Sequence, residues 1–456
     1  MKDRWHIDGK RVLVVGLGAS GRAAALLAKG RGAVVEATDL KTRGDLGDAI
    51  RDLEQAGVAL HLGGHPEEPF VRADVVVVSP GVPAVPFHEQ LTARKAEVMA
   101  EVEFAWRFLE ARVIGVTGSN GKSTVTSLLG EMAARSGRPA FAGGNLGDPL
   151  SGAVGTEAGG PRGLLAVELS SFQLELISTL KPAVALLINL SEDHLDRYKT
   201  FEDYIEAKAR IFMNQDARDH AVVWGGDPRA IEVARRGRAV IHLAGSPDAE
   251  VRREGNALVD RDAPGGPVRY PLERFKLAGE HNVVNASMAV LAARLAGIPA
   301  EAIRQGLESF GGLPHRMVFV AELAGVRYYN DSKATNVGAA VEALRGMDRP
   351  VVLIAGGRDK GGSYEPLRRV VKEKGRAVVV IGEAADRIAE AMRDAVPVHR
   401  AGTLEEAVQK AASIAAAGDA VLLAPACSSY DMFRNYEKRG EAFARAVKGL
   451  SARGDG

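Results

Sequence analysis

Cysteine and long hydrophobic runs are what this 456-residue sequence most lacks. Its single cysteine, Cys427, cannot form an internal disulfide, which favours a reducing compartment, and we predict a cytoplasmic location. The longest apolar stretch, residues 164–190, is interrupted by Glu168, Glu175, Lys181 and Pro182, so we expect no membrane-spanning helix and no membrane partner. The polar N-terminus contains no recognisable signal peptide.

An excess of charge of one sign is also missing. The 59 Lys and Arg residues nearly balance the 58 Asp and Glu residues, and a net charge of +1 gives no reason to expect a nucleic-acid partner. Hydrophobic residues make up 46% of the chain and charged residues 26%, as in ordinary globular proteins. At roughly 150 residues per domain, the length suggests three domains.

The clearest chemical signal is a strand, a glycine loop and a helix between Arg112 and Arg135. An apolar run at 113–116 predicts a buried strand, and apolar residues at helical spacing follow Ser123. Between them lies Gly118-Ser-Asn-Gly-Lys-Ser-Thr124, a variant phosphate loop with Val116 where the strict pattern has glycine. Such a loop offers backbone N–H groups, a lysine and a hydroxyl for magnesium, so we predict a nucleotide triphosphate site. The alternative is a tight turn with a solvated lysine.

A second glycine turn lies near the N-terminus. The predicted strand 10–15 leads into Gly16-Leu-Gly-Ala-Ser-Gly21, which opens a helix, and the next strand ends at Asp39, 18 residues after Gly21. This is the pattern of a dinucleotide-binding βαβ unit, and the same geometry could hold the pyrophosphate of a nucleotide-sugar. A nicotinamide-dependent oxidoreductase and a packing turn without a ligand remain open. The loop Ser79-Pro-Gly-Val-Pro83 follows a further predicted strand.

The middle of the chain places acidic residues after predicted strands. Glu168 ends the strand 164–168, where nucleotide-hydrolysing folds hold magnesium, although a solvated glutamate is the alternative. His194 lies in an acidic loop and is either a metal ligand or an ordinary loop residue. The spacing around Lys208 assigns it no role, and a solvated surface lysine is the alternative. The guanine-reading pattern Asn-Lys-x-Asp is absent, which disfavours a GTPase. We predict a β-rich insertion over 220–270. Asn282 precedes a predicted helix and could simply cap it.

The last third alternates strands and helices, with polar loops after three strands. These loops are Asp331-Ser-Lys-Ala-Thr-Asn336, Gly356-Gly-Arg-Asp-Lys-Gly361 and Pro425-Ala-Cys-Ser-Ser-Tyr-Asp431, and together they indicate a ligand-binding face, although turn and capping roles are open. The predicted fold is α/β with three domains, each built on a mainly parallel sheet with flanking helices. We expect a Rossmann-like domain over 1–110, a P-loop domain over 111–313 and a second Rossmann-like domain over 314–456.

Taken in order, the motifs closely resemble the Mur ligase family over the whole chain. The matching positions are the phosphate loop, Asn145 in Gly143-Gly-Asn-Leu-Gly147, Glu168, His194, Lys208 in Ala207-Lys-Ala-Arg210, His281-Asn282, Leu313-Pro-His-Arg316 and Asp331-Ser-Lys-Ala-Thr-Asn336. The N-terminal turn, Glu168-Leu-Ser-Ser-Phe-Gln-Leu174 and Glu192-Asp-His-Leu-Asp-Arg-Tyr198 resemble the member that adds D-glutamate to UDP-N-acetylmuramoyl-L-alanine. The resemblance implies an ATP-dependent amide ligase of peptidoglycan precursor synthesis that acts as a monomer.

The resemblance also implies roles for individual residues. ATP would be bound by Gly118, Ser119, Asn120, Gly121, Lys122, Ser123, Thr124, Asn282, Arg316 and Asp331, and the UDP-sugar by Ala19, Ser20, Asp39, Ser79, Gly81, Asn145 and Ser171. D-Glutamate would contact Thr335, Lys360, Ser429 and Tyr436, the last at a position where the family pattern has phenylalanine. The cofactor Mg2+ would be held by Ser123, Glu168 and His194, and by Lys208 if that lysine is carbamylated. Lys122, His194 and Lys208 would be the catalytic residues.

Three other functions compete with this reading. The oxidoreductase leaves the phosphate loop unexplained. A non-catalytic ATP-binding scaffold would not couple phosphate release to a carboxylate and an amine. Sibling ligases that add L-alanine or a diamino acid, or that add glutamate to folate, share the central chemistry. They differ in the N-terminal fold and the third-domain loops.

Overall fold

The computed structural model describes residues 5–451 except 83, 146, 195–196 and 278. The chain forms two compact units, each assembled from separate stretches of sequence. The first unit comprises the chain up to Leu190, Ile205–Phe275 and Val284–Phe310, and the second comprises Ser191–Tyr204, Lys276–Val283 and the chain from Gly311 onward.

The N-terminal part of the first unit is a parallel sheet of five strands in the order β3-β2-β1-β4-β5. The strands are β1 (Arg11–Val15), β2 (Val34–Asp39), β3 (Ala59–Leu62), β4 (Val75–Val78) and β5 (Glu97–Ala100). The helices are α1 (Ala19–Gly30), α2 (Arg43–Leu46), α3 (Arg51–Gln55), α4 (Glu67–Arg72), α5 (His88–Ala93) and α6 (Glu101–Trp106). Strand order reverses between β1 and β4, and ligands of open α/β sheets bind at such a crevice.

A sheet of nine strands follows in the same unit, in the order β14-β13-β12-β11-β10-β9-β6-β8-β7. Its strands are β6 (Arg112–Thr117), β7 (Ala140–Gly144), β8 (Leu164–Glu168), β9 (Val184–Leu187), β10 (His220–Trp224), β11 (Val240–Ala244), β12 (Val251–Glu254), β13 (Ala257–Asp260) and β14 (Val268–Pro271). The helices along this part of the chain are α7 (Lys122–Ala134), α8 (Ser171–Glu175), α9 (Phe201–Ala209), α10 (Pro228–Arg235), α11 (Glu280–Leu295) and α12 (Ala300–Ser309).

The prediction that residues 220–270 are rich in short strands is confirmed, but these strands do not form a separate insertion. Strands β10 and β11 pair in parallel and continue the sheet from β9, with α10 between them along the chain. Among the described strands of this sheet, the antiparallel pairs are β12 with β13 and β13 with β14. Short strands with turn residues between them look the same in sequence whether they form a separate hairpin or extend an existing sheet.

The second unit contains a sheet of six strands in the order β15-β16-β20-β17-β18-β19. The strands are β15 (Val318–Leu323), β16 (Val326–Asn330), β17 (Val351–Gly356), β18 (Gly375–Ile381), β19 (Val398–Arg400) and β20 (Ala420–Leu423). The helices are α13 (Val337–Arg345), α14 (Glu365–Lys374), α15 (Ala385–Met392), α16 (Leu404–Ile414) and α17 (Tyr436–Ser451). Because β16, β20 and β17 are parallel neighbours, the three polar loops that follow them emerge at one edge.

The predicted α/β fold with three mainly parallel sheets is confirmed, apart from the antiparallel pairs at the edges of two sheets. The domain boundaries at 110/111 and 313/314 stay predictions. Within the described residues, every helix is too short or too polar to cross a membrane.

Candidate active site

The glycine turn after β1 is held in place by two predicted site residues. Gly16 has φ +86°, and a Cβ there would lie 2.8 Å from Cγ2 of Val82. Ser79 donates its hydroxyl to the Gly16 carbonyl oxygen at 2.7 Å. Asp39 accepts the Leu17 amide on Oδ2 at 2.6 Å, as in a dinucleotide-binding turn. Asp39 and Ser79 therefore shape this turn whether or not they also touch a ligand.

The other residues predicted to bind the UDP-sugar lie around this turn and in the larger sheet. Ala19 and Ser20 begin α1, where backbone N–H groups are open to an anion. Gly81 is exposed in the turn after β4, and Ser171 is buried at the start of α8. Asn145 is exposed after β7.

The phosphate loop joins β6 to α7 and depends on two glycines. Gly118 has φ +150° and Gly121 has φ +86°, backbone conformations that other residues rarely adopt. A Cβ on Gly118 would lie 3.0 Å from Cβ of Ile188, and one on Gly121 would lie 2.5 Å from Oδ1 of Asn285. Both glycines are thus required by conformation and by space.

Asn189 fixes the tip of this loop, which sequence reasoning missed. Its backbone carbonyl accepts the Ser119 amide and its Oδ1 accepts the Asn120 amide, both at 2.9 Å. Its Nδ2 donates to the Asn120 carbonyl at 3.2 Å. The only signal in the sequence was a polar residue that interrupts the apolar run 184–190.

Two lysines predicted to be catalytic converge on the loop. Nζ of Lys122 donates to the carbonyl oxygens of Gly118 and Ser119, each at 2.8 Å. Nζ of Lys208 donates to the same Gly118 oxygen at 2.8 Å, and this side chain is 1% exposed. The idea that Lys208 is a solvated surface lysine is therefore wrong. The two amines place positive charge beside the backbone that would surround a phosphate.

Glu168 lies at the end of β8, beside the strand that leads into the phosphate loop. Its backbone pairs with Val116, and its side chain is 2% exposed. Asn145 donates to Oε1 at 2.8 Å, while Oε2 is buried and accepts no hydrogen bond from the residues that the structure describes. A buried carboxylate oxygen without a donor is costly unless a cation uses it. The idea of a solvated glutamate is wrong here.

Ser123 and Thr124 begin α7, and both are almost fully buried. Ser123 and Glu168 fit a magnesium site, since Mg2+ prefers hydroxyl and carboxylate oxygens and uses few protein ligands. Among the described residues, no group of three or more His, Cys, Asp and Glu side chains is arranged to hold a metal. The predicted set adds two ligands outside those four residue types, the Ser123 hydroxyl and a Lys208 carbamate.

In the second unit, Asp193 joins three predicted motifs. Its Oδ1 lies 3.1 Å from Nζ of Lys360, and its Oδ2 accepts from Nδ2 of Asn336 at 2.9 Å. His194 donates its backbone amide to Oδ1 at 2.9 Å and has φ +55°, which is uncommon for a residue with a side chain. Asp193 and Asn336 were not predicted as site residues, although both stand inside the motifs.

Asp331 and Arg316 face each other near the end of β16. Burial raises the pKa of Asp331 to about 6, and the Arg316 guanidinium and the Met317 amide oppose that shift. Nε of Arg316 is buried and has no acceptor in the described part of the chain. Asn282 lies in the first turn of α11, where its backbone amide donates to Gly279, and beside it burial lowers the pKa of His281.

The residues predicted to bind D-glutamate lie on the loops after β16, β17 and β20 and at the start of α17. Ser429 is buried and Thr335 is partly exposed. Tyr436 is covered by Lys333, whose Nζ lies 3.9 Å from the ring centroid. Nearby, Cys427 is fully buried with its Sγ 3.2 Å from the Tyr364 hydroxyl, and burial raises the pKa of its thiol.

The structure thus assembles the predicted residues in two sets. The phosphate loop, Asn145, Glu168, Ser171 and Lys208 lie in the first unit with the N-terminal turn. His194, Asn282, Arg316, Asp331, Thr335, Lys360, Ser429 and Tyr436 lie in the second.

Three protein-family models match successive parts of this chain. The description "Mur ligase middle domain" matches residues 116–293, "Mur ligase, glutamate ligase domain" matches 315–427, and "Mur ligase MurD-like, N-terminal domain" matches 10–100. The UDP-N-acetylmuramoylalanine--D-glutamate ligase of Geobacter metallireducens is 45% identical over 452 residues, which cover 98% of each chain. The chain belongs to the Mur ligase family.

Other Mur ligases agree in sequence and in fold. The UDP-N-acetylmuramoylalanine--D-glutamate ligase of Pelobacter propionicus is 44% identical and covers 98% of this chain and all of its own. Among solved structures, a pseudomurein peptide ligase type C from Methanothermus fervidus has a TM-score of 0.62, with 18% identity over 97% of this chain and 100% of that one. MurF ligase from Thermotoga maritima in complex with ADP has a TM-score of 0.60, with 18% identity over 98% of this chain and 96% of that one. These two structures support the fold alone.

Proposed function

We propose that this Mur ligase adds D-glutamate to UDP-N-acetylmuramoyl-L-alanine at the expense of ATP. The proposal rests on one observation above the others: a phosphate loop on which the amines of Lys122 and Lys208 converge, beside a buried carboxylate with a free oxygen. The relatives above 40% identity carry this activity in their names, and the N-terminal turn suits a sugar nucleotide.

The chemistry follows from the poor reactivity of a carboxylate. An amine does not displace oxide from a carboxylate in water, so the oxygen must first become a leaving group. In the proposed reaction a carboxylate oxygen of the alanyl group attacks the γ-phosphorus of ATP, and ADP leaves with the electron pair of the broken P–O bond. The amine of D-glutamate then attacks the acyl phosphate, loses a proton and expels inorganic phosphate, which leaves the amide.

The loop and Lys122 would stabilise the phosphoryl group directly, and Lys208 would do so through the metal. The backbone N–H groups at the start of α7 point toward the loop, and the Lys122 amine can leave its carbonyl acceptors to pair with a phosphate oxygen. Ser123 and Glu168, with His194 and a carbamylated Lys208, are proposed to hold Mg2+, which supplies positive charge to the transferring phosphate. A carbamylated Lys208 retains one N–H, so its bond to the Gly118 oxygen can persist.

The remaining predicted residues are proposed to position the substrates. Ala19 and Ser20 would bind the pyrophosphate with their amides, and Asp39, Ser79 and Gly81 would form the wall of that site. Asn145 and Ser171 would contact the sugar nucleotide from the larger sheet. Asn282, Arg316 and Asp331 would contact ATP.

The amino acid would be held by the loops of the second unit. Lys360, Thr335 and Ser429 offer an amine and two hydroxyls to carboxylates, and the Tyr436 ring would form one wall. Lys360 is paired with Asp193, so D-glutamate would have to share this amine or displace the aspartate.

Phosphate release tests the proposal directly. The protein is supplied with ATP, Mg2+ and UDP-N-acetylmuramoyl-L-alanine, and D-glutamate is compared with L-glutamate, L-alanine and meso-diaminopimelate. Release that requires D-glutamate supports both reaction and substrate. Release with another amine moves the chain to a sibling ligase, and release with none of them, together with a change in NADH fluorescence on mixing, would favour the oxidoreductase instead.

A further inference from the structure

The largest fully buried side chain in the second unit is a cation. Arg439 lies in the first turn of α17 and is 1% exposed. It shares a buried face of the helix with Phe443 and Val447, four and eight residues further on, which pack in the hydrophobic core. A charge in such a place must be satisfied by other groups, because a buried unpaired guanidinium is costly.

The guanidinium is satisfied by oxygens of three loops. Nε donates to Oγ of Ser332 at 3.0 Å and Nη2 to the Ser332 carbonyl at 2.9 Å, both on the loop after β16. Nη1 and Nη2 donate to the Cys427 carbonyl at 3.2 and 3.1 Å, and Nη1 to that of Ser428 at 3.3 Å, on the loop after β20. Nη1 also reaches the Gly356 carbonyl at 3.5 Å, at the end of β17.

Gly357 leaves the room that this arrangement needs. Its φ is +135°, and a Cβ there would lie 3.1 Å from Nη1 of Arg439. The next residue, Arg358, pairs through its backbone with Ser428 on the loop after β20, which ties the two loops together. The guanidinium therefore lies in a space bounded by backbone from all three loops.

No carboxylate neutralises this cation among the residues that the structure describes. Every hydrogen bond of Arg439 goes to a carbonyl or a hydroxyl, and it takes part in no ion pair within 4.0 Å. The Asp431 carboxylate acts on it electrostatically without a hydrogen bond between them, and Oδ2 of Asp431 accepts the Glu383 amide. Burial lowers the pKa of Arg439 to about 10, which still leaves it charged at neutral pH.

Each oxygen that Arg439 binds lies close in sequence to a residue proposed to touch the amino acid. Ser332 is three residues before Thr335, Gly356 is four before Lys360, and Ser428 directly precedes Ser429. One side chain thus sets the spacing of three binding groups on three separate loops. A change of its length or charge would move all three together.

We propose that Arg439 is the positioning residue of the amino-acid site, and that its unneutralised charge makes this site select a dicarboxylic amino acid. The inference rests on the proposed function and adds a determinant of its substrate class. An amino acid with two carboxylates brings one net negative charge more than a neutral one, and a buried positive charge nearby favours it. Arg439 acts through the loops and does not itself touch the reacting atoms.

The test uses Arg439→Met, which keeps an unbranched apolar stem and removes the charge and the donors, and Arg439→Lys, which keeps the charge but not the planar guanidinium. Arg445→Met is the matched control, because Arg445 lies on the same helix, is exposed and, among the described residues, forms its one ion pair with Glu441 at 3.8 Å. Steady-state phosphate release gives a separate KM for each of the three substrates. The ratio of kcat/KM for D-glutamate to that for its neutral isostere D-glutamine reports on charge selection.

In Arg439→Met we expect the KM for D-glutamate to rise about tenfold or more, because several charge-assisted hydrogen bonds are lost. The KM values for ATP and the sugar nucleotide should stay within about twofold, since their sites are held by other residues. The preference for D-glutamate over D-glutamine should fall. Arg439→Lys should keep that preference and still raise the KM for D-glutamate, and Arg445→Met should match wild type.

Equal changes in all three KM values, or a lower kcat with unchanged KM values, would show a merely structural role and overturn the inference. If Arg439→Met does not fold, Arg439→Lys decides: an unchanged KM for D-glutamate overturns the inference. Wild-type protein that releases no phosphate with D-glutamate contradicts the proposed function instead, so the two failures are distinguishable.

Discussion

Nζ of Lys360 lies 3.1 Å from Oδ1 of Asp193, although the two residues are far apart in sequence. The pair is mostly buried, and Asp193 also accepts from Asn336. We expect Asp193→Ala to lower the free energy of unfolding by about 1–3 kcal/mol, because an amine and an amide lose a buried acceptor. It should also raise the KM for the amino acid, since Lys360 loses its anchor. Denaturant unfolding and steady-state kinetics measure the two effects, and the exposed Glu192→Gln is the control. Equal stability of the two variants would contradict the expectation.

Gly121→Ala should weaken nucleotide binding more than it harms folding. The new Cβ would lie 2.5 Å from Oδ1 of Asn285, and φ of +86° is strained for alanine. Gly137→Ala separates the two causes, because Gly137 has φ +74° and its Cβ would meet nothing within 4 Å. Both variants should lose about 1 kcal/mol of stability from backbone strain. Titration with a fluorescent ATP analogue should show weakened binding only in Gly121→Ala.

Glu168→Gln should make activity depend on a higher Mg2+ concentration. The glutamine can keep the Asn145 hydrogen bond through Oε1, but it removes the charge at the buried Oε2. We expect a loss of about 10- to 100-fold in apparent metal affinity or activity, the range typical of weakened metal sites. A magnesium titration of phosphate release measures this. The exposed Glu157→Gln should match wild type, and an unchanged midpoint for Glu168→Gln would remove this residue from the metal site.

Stability should depend on pH through Glu101. This fully buried side chain accepts the Ser151 amide on Oε1, and burial raises its pKa from an ordinary value near 4.5 to about 7. Between these pKa values Glu101 is protonated in the folded protein and ionised in the unfolded chain. Its contribution to the free energy of unfolding is therefore fully present below pH 4.5 and is lost as pH rises through 7. A shift of this size corresponds to roughly 3 kcal/mol. Thermal or denaturant unfolding should show that Glu101→Gln loses less stability than wild type between pH 4.5 and 7. The exposed Glu89→Gln should lose as much as wild type.

The sequence predicted those features that depend on local pattern. The strands, the two glycine turns and the polar loops follow from apolar periodicity and from the backbone freedom of glycine, so they could be placed without a structure. Glu168 could be predicted because it ends a buried strand beside the phosphate loop.

The remaining features depend on contacts between distant segments. Nothing local indicates that Asn189 holds the phosphate loop or that Lys208 shares its acceptor with Lys122. The partner of Lys360 lies 167 residues away. Arg439 had a usable signal, since it stands four residues before Phe443 on an apolar helical face, but a cation at such a position is usually taken as exposed. The strands after β9 were expected, but their place in the larger sheet was not, because pairing partners cannot be read from turn residues alone.

The burial of Cys427 has a practical consequence for fluorescence spectroscopy. The chain's one thiol is inaccessible, and burial raises its pKa, so maleimide dyes should leave the native protein unlabelled. A cysteine introduced at an exposed position on each of the two units would then carry a donor and an acceptor dye without a background label. Energy transfer between the dyes would follow substrate binding one molecule at a time, on a protein that needs no cysteine removed.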